Sequence, residues 1–253
     1  MPAIAFYHQH PDLLVTETSV LDSRPGRVLL ASSPLFPGGG GQLPDRGVLK
    51  WAGGETAVTG FEPSDDGLWH LLDQDDAEVT GTVEASVDPA FRQLMRELHT
   101  ATHILNAVVF RDFNGALVTG AQMTADGTAR MDFDLPDADN DRLRAAGPAL
   151  NDTVRQDLPV ITTYVPLAAA RQEYGLIRNR SVAPPPTPDG QVRIVEIAGL
   201  DRQACGGTHL TSTGSSPPIR ILRIASKGRH NRRVYIGLEG RMTGARSPAA
   251  PAT

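Results

Sequence analysis

Along residues 26–72, short apolar runs alternate with glycine, proline and aspartate punctuation, in "GRVLLASSPLF", "GVLKWAGG", "ETAVTGFEP" and "GLWHLL". Runs of this length and spacing predict short antiparallel strands, closed into a small barrel or packed as a sandwich. No helix is predicted over the first 87 residues. The period changes at 87–113, where Phe91, Leu94, Met95, Leu98, Thr102, Leu105 and Val109 recur at spacings of three and four. That is the stripe of an amphipathic helix. Asp88 and Pro89 before it read as an N-cap followed by proline at the first helical position. The domain boundary is therefore placed at residue 87.

Beyond the helix, strands are predicted over 115–123 and 128–135, around a turn at Asp126-Gly127. A helix is predicted over 137–156, which Gly147-Pro148 can break in two. A strand over 158–167 and a short helix over 167–176 follow. The prolines of "SVAPPPTPDG" (181–190) exclude a regular ladder and make that stretch a loop. Strands over 191–200, 220–226 and 232–240 complete one sheet. The expected fold class is α+β: an N-terminal barrel-like domain over 1–87, an α/β domain with an antiparallel sheet over 88–241, and a disordered tail over 242–253. No internal repeat is found.

Composition narrows the class. Apolar residues are 40% and charged residues 21%, as in soluble globular proteins. No run approaches the ~20 apolar residues of a membrane span, and "MPAIAFYHQHPDLL" lacks the basic start and apolar core of a signal peptide. A single cysteine precludes an internal disulfide and agrees with a reducing, cytoplasmic setting. The net charge of −5 argues against a protein that coats nucleic acid, yet residues 219–241 gather Arg220, Arg223, Lys227, Arg229, Arg232, Arg233 and Arg241 against Glu239. Such a stripe either binds a polyanion or protects a solvated edge strand.

The chemistry lies in two pairs. His99 and His103 sit four apart on the helix, so both imidazoles leave one face a turn apart, as two ligands of one metal ion would. Alone, this pair is weak evidence and more readily marks two partly buried histidines satisfied by hydrogen bonds. A zinc peptidase would carry glutamate directly after the first histidine; Thr100 stands there, which disfavours that activity. Cys205 and His209 repeat the spacing across "CGGT", whose glycines allow a tight turn. Three imidazoles and one thiolate make a tetrahedral Zn²⁺ set. A cysteine nucleophile with a histidine base is the competing arrangement, but it leaves the helical pair without a shared purpose.

The stretch "FPGGGGQLPDRG" (36–47) contains neither a dinucleotide fingerprint nor a phosphate loop. Gly38, Gly39, Gly40 and Gly41 form either a flexible hairpin loop or a backbone that closely approaches a ligand or another domain.

"HTATH", then "CGGTHL" about a hundred residues later, then the basic "GRHNRRVYIGLEGR", resembles the editing domain of alanyl-tRNA synthetases and their freestanding AlaX-type relatives. The glycine-rich segment is similar to the motif that precedes that domain in longer members. The resemblance runs from about residue 5 to residue 241. It implies a freestanding, ATP-independent cytoplasmic hydrolase with one Zn²⁺ per chain and no obligate protein partner. Its substrate would be tRNA(Ala) mischarged with serine or glycine. A synthetic pocket for alanine excludes neither glycine nor serine well, so a second sieve hydrolyses what fits it.

By position, the resemblance makes His99, His103, Cys205 and His209 the metal ligands. It gives Thr102 a part in handling the amino-acid side chain and makes Gln122 a pocket residue. The glycines 38–41 approach the substrate, and Arg229, Arg232 and Arg233 are candidate phosphate contacts. Whether the metal polarises the attacking water or orients the substrate stays open. Three other functions compete: a noncatalytic tRNA-binding module with a structural zinc, a threonyl-type editing hydrolase, and a metal hydrolase for another small ester or amide.

Overall fold

The structure is a computed structural model that describes residues 4–136, 140–177 and 186–243. After a one-turn helix, α1 (Phe6–Gln9), come β1 (Val15–Arg24), β2 (Arg27–Leu30), β3 (Gly47–Trp51), β4 (Gly54–Ser64), β5 (Gly67–Leu72) and β6 (Thr82–Val87). These six strands close into an antiparallel barrel in the order β1-β2-β5-β4-β3-β6. Side-chain alternation fills it: Val83, Ala85 and Val87 of β6 point inward, and Thr82 and Glu84 point out. The sequence expectation of a barrel-like unit holds, and the strands β1 and β6, not foreseen, are the two that close it. Helix α1 was also not foreseen; its four residues fall below the length at which periodicity speaks.

Helix α2 (Pro89–Asp112) starts where predicted, with Asp88 Oδ1 accepting the Ala90 and Phe91 N–H groups at 3.0 Å each. From Leu98 to Val109 every residue is buried. The helix is thus enclosed on all sides instead of lying on the surface. One side packs on a four-stranded sheet of order β12-β13-β8-β7, made of β7 (Val118–Met123), β8 (Thr128–Asp134), β12 (Ile219–Lys227) and β13 (Asn231–Leu238). Helices α3 (Asn140–Arg144) and α4 (Gly147–Arg155) cover the same core, and Gly147-Pro148 opens α4 as the break anticipated there.

One sheet was expected for the C-terminal half; two are present among the described residues. The second has the order β11-β10-β9, from β9 (Val160–Pro166), β10 (Gln191–Ile197) and β11 (Asp201–Ala204), with α5 (Leu167–Gln172) beside it. Pairing partners are long-range facts that apolar runs do not carry. The tail also differs: Met242 covers Gly237, and Thr243 N donates to Asp126 O at 2.9 Å, so these two residues continue the fold. Residues 137–139 of the predicted helix, 181–185 of the loop and 244–253 of the tail lie outside the described residues.

Barrel and helix are joined by buried charge. Arg92 Nε lies 2.9 Å from both Asp45 oxygens, Arg92 Nη2 donates to Pro34 O at 2.7 Å, and Asp45 Oδ2 accepts Phe36 N–H at 2.7 Å. The two side chains are 1% and 0% exposed.

Candidate metal centre and its cavity

The fold brings His99 and His103 of α2 against Cys205 and His209, which follow β11. Their candidate ligand atoms all lie within 4.8 Å of one another, and all four residues are buried. Cys205 Sγ is 3.4 Å from His99 Nε2 and 3.4 Å from His209 Nε2. His103 completes the group, its ring centroid 4.4 Å from that of His209.

Each imidazole is engaged at the nitrogen turned away from the cluster. His99 Nδ1 donates to Gln42 Oε1 at 2.8 Å. The Gln203 amide lies 3.0 Å from His103 Nδ1, and Thr100 Oγ1 lies 3.3 Å from His209 Nδ1. Outer partners of this kind fix ring orientation in metal sites. Burial holds His99 and His209 well below the usual imidazole range, and neighbouring imidazole and Arg193 charges push the same way. The His99 and His209 rings are therefore neutral and offer lone pairs. Burial pushes the Cys205 thiol up, opposed by Arg193 and by the Gly207 N–H. A dication is what would convert that thiol to thiolate. Three imidazole nitrogens and one sulfur suit Zn²⁺ in ligand type and number.

The glycine that follows the cysteine turn has a reason other than the one expected. Gly207 does not need left-handed backbone; a Cβ there would lie 2.0 Å from His99 Cε1 and 2.8 Å from Gln42 Oε1. Only glycine lets the turn close on the helix. Arg193 holds that turn from behind, with Nη1 donating to Cys205 O and Gly207 O at 2.9 Å each, and His8 Nε2 lies 2.8 Å from Gly206 O. Burial, then the Arg193 charge, lowers the His8 pKa to about 4.

The cluster opens into a cavity of about 580 Å³ between barrel and helix, whose wall includes Tyr7, Gly38, Gly39, Gly40, Thr102 and Tyr164. Gly41 instead turns to the sheet: its carbonyl accepts Met123 N–H at 2.8 Å, and a Cβ on it would sit 2.5 Å from Ala121 O. All four glycines have positive φ, which glycine adopts without strain. Thr102 reaches the cavity, and its hydroxyl donates to His99 O at 2.7 Å.

Gln122 does not reach the cavity. Strand alternation puts Ala121 in the wall and turns Gln122 outward, where its Oε1 accepts Arg130 Nε–H at 3.0 Å. The three arginines diverge too. Arg229 is exposed in the turn between β12 and β13, Arg232 pairs in register with the core residue Phe133, and Arg233 is clamped to Asp132 by two bonds of 2.6 Å. None of the three lines the cavity.

Residues not foreseen are Gln42, Thr100, Gln203, Thr208 and Arg193. Gln42 is the first residue after the four glycines, and Gln203 lies two residues before Cys205, the spacing that puts strand side chains on one side, so both were within reach of a position-by-position reading.

Residues 192–235 match the family described as the threonyl and alanyl tRNA synthetase second additional domain. An alanine–tRNA ligase of Korarchaeum cryptofilum is 32% identical over 88% of this chain, but the match spans only 25% of that ligase. The AlaX-M alanyl-tRNA editing protein of Saccharolobus solfataricus is 33% identical over 82% of this chain and 87% of its own length. That of Methanosarcina barkeri is 31% identical over 83% and 88%. The chain thus spans about a quarter of the ligase and nearly all of either editing protein. It belongs to the family of AlaX-M alanyl-tRNA editing proteins.

Proposed function

We propose that this protein is a cytoplasmic trans-editing hydrolase. It cleaves the ester that joins a wrong amino acid, chiefly serine and also glycine, to tRNA(Ala). His99, His103, Cys205 and His209 hold one Zn²⁺ for this purpose. The observation that carries the reading is the convergence of these four buried side chains, three of which, His99, His103 and Cys205, line a cavity large enough for an aminoacyl group, in a chain of this family. A bound Zn²⁺ supplies Lewis acidity for ester hydrolysis.

The chain's own residues supply the selectivity. The Thr102 hydroxyl hydrogen is committed to His99 O, which leaves its oxygen as an acceptor at the cavity wall. A seryl hydroxyl satisfies that acceptor; an alanyl methyl does not, and leaves the acceptor capacity of a buried oxygen unfilled. Gly39 and Gly40 have open space where side chains would stand, which lets the ester come close to the backbone. Gly39 is held by two main-chain bonds to Gln42, so the main chain of Gly40 then orients it.

Deacylation of Ser-, Gly- and Ala-tRNA(Ala), with metal content measured on the same preparation, tests the reading. Serine is expected to leave fastest and alanine to stay. If zinc-loaded protein binds tRNA(Ala) but releases no serine, the noncatalytic module with a structural zinc takes its place. Release of serine from Ser-tRNA(Thr) in preference would indicate the threonyl type.

A further inference from the structure

The outer face of the β12-β13-β8-β7 sheet carries cations that the cavity does not use. Register aligns Arg223, Tyr235, Arg130 and Gln122 across its four strands, and Ala225, Arg233, Asp132 and Gly120 in the next row. The opposite side of the same strands holds Ile224, Val234, Met131 and Phe133 in the core. The Arg223 guanidinium lies 4.2 Å over the Tyr235 ring. Arg130 and Arg233 share one carboxylate, Asp132, at 3.1 and 2.6 Å. Among the described residues Arg223 and Lys227 pair with no carboxylate. Exposed Arg229, in the adjoining turn, prolongs the row. Against Asp132 and Asp134, which register places on the same side, Arg130, Arg223, Lys227 and Arg233 leave this face positive in a chain of net charge −5.

With strands ~4.8 Å apart and ~3.4 Å per residue, Arg130, Arg223 and Lys227 span a patch of about 10 by 14 Å. That is the reach of a few successive phosphates along a nucleic-acid strand. Apolar exposure here is small: Leu222, 44% exposed, packs with Met242 over Gly237, and Tyr235 is already covered by Arg223, which is less than the buried apolar centre of a protein interface requires.

We propose that this face binds the phosphate backbone of the substrate RNA beside its aminoacylated end, with Arg223 and Lys227 as the principal contacts. The proposal rests on the editing reading above and gives it a docking surface. β7 is the edge strand of the sheet, and its consecutive residues Ala121 and Gln122 belong to the cavity wall and to the charged side. Charged side and cavity wall thus lie on the two faces of one strand, with Gly41 of the glycine loop packed against its edge. Phosphate contacts of this kind set position and carry no base specificity.

The test uses the full chain and two double variants, Arg223→Glu with Lys227→Glu and Arg223→Gln with Lys227→Gln. Binding of uncharged tRNA(Ala) is followed by fluorescence anisotropy at several NaCl concentrations. Turnover is compared on Ser-tRNA(Ala) and on a CCA trinucleotide esterified with serine. Affinity is expected to fall tenfold or more in the charge-reversed variant, and the slope of log K against log salt to flatten by about 1–2. KM for Ser-tRNA(Ala) rises relative to that for the trinucleotide. Variants that keep the parent melting temperature and bind tRNA with the parent affinity and slope overturn the proposal. Weaker binding with an unchanged slope overturns it as well, because the lost contact is then not to phosphate. If the parent leaves Ser-tRNA(Ala) intact, the editing reading fails while the binding arm still decides this surface.

Discussion

Gln42 Oε1 accepts two hydrogen bonds at once, from His99 Nδ1 at 2.8 Å and from the Thr208 main-chain N–H at 2.9 Å. Its amide nitrogen donates to Thr208 Oγ1 at 2.8 Å. One barrel-loop residue therefore ties the helical half of the metal centre to the cysteine half. Gln42→Ala is expected to leave the His99 N–H without an acceptor and to weaken zinc binding roughly 10–100-fold, measured by competition with a chromogenic chelator. Gln42→Glu keeps the acceptor and should recover part of the loss. Parent-like affinity in the alanine variant would refute this role.

Gly207→Ala places a methyl where His99 Cε1 is 2.0 Å away. The turn or the imidazole must shift, at about 1–3 kcal/mol. Purified variant is expected to carry well under one zinc per chain by atomic absorption, while barrel tryptophan fluorescence matches the parent. Full zinc occupancy would show that the turn has room the structure does not contain.

His70 gives the barrel an acid sensitivity. Burial lowers its pKa to about 4, against contributions from the Val28 and Leu68 backbone, and its Nε2 lies 2.8 Å from Ser33 Oγ. The folded pKa is thus below the unfolded value near 6.5. The contribution is complete above pH 6.5 and is lost as pH falls from 6.5 toward 4, because only the unfolded chain takes up the proton there. The full loss is on the order of 3 kcal/mol. Urea unfolding at pH 7 and pH 4.5 should show a smaller drop for His70→Gln than for the parent. Equal drops would remove His70 as the source.

Asp45→Ala strands a guanidinium that is 1% exposed. Losing one partner of a buried pair costs about 3–5 kcal/mol, and in a chain of this size that lowers the melting temperature by on the order of 10 °C. Calorimetry checks it. Arg92→Leu combined with Asp45→Leu should be less harmful than Asp45→Ala alone, since no buried charge is left unpaired.

The His99, His103, Cys205 and His209 cluster was legible because one spacing occurs twice: His99 to His103 and Cys205 to His209 are each one helical turn's worth of chain, and each residue type can serve as a ligand. The barrel was legible from β2 to β5, where apolar runs end at glycine or proline. β11 was not, since its inward residues are Asp201 and Gln203, polar groups buried to serve His103 and each other, which erases the apolar signal of a strand. The basic stripe was visible as charge, but composition says nothing about faces. Register alone separates Arg223, on the open side, from Arg232, on the core side, and reveals that Asp132 has already claimed Arg233.

The Gln42 contact also makes docking of the barrel and capture of the ion a single thermodynamic cycle. His99 takes its orientation from a loop that belongs to the other half of the molecule, so an ion bound more tightly in the docked state must strengthen docking by the same factor. Zinc depletion should then loosen the joint between the halves as well as empty the centre. A chain whose barrel has yet to dock would hold an ion weakly, so the cluster reaches its full affinity for metal only with complete assembly.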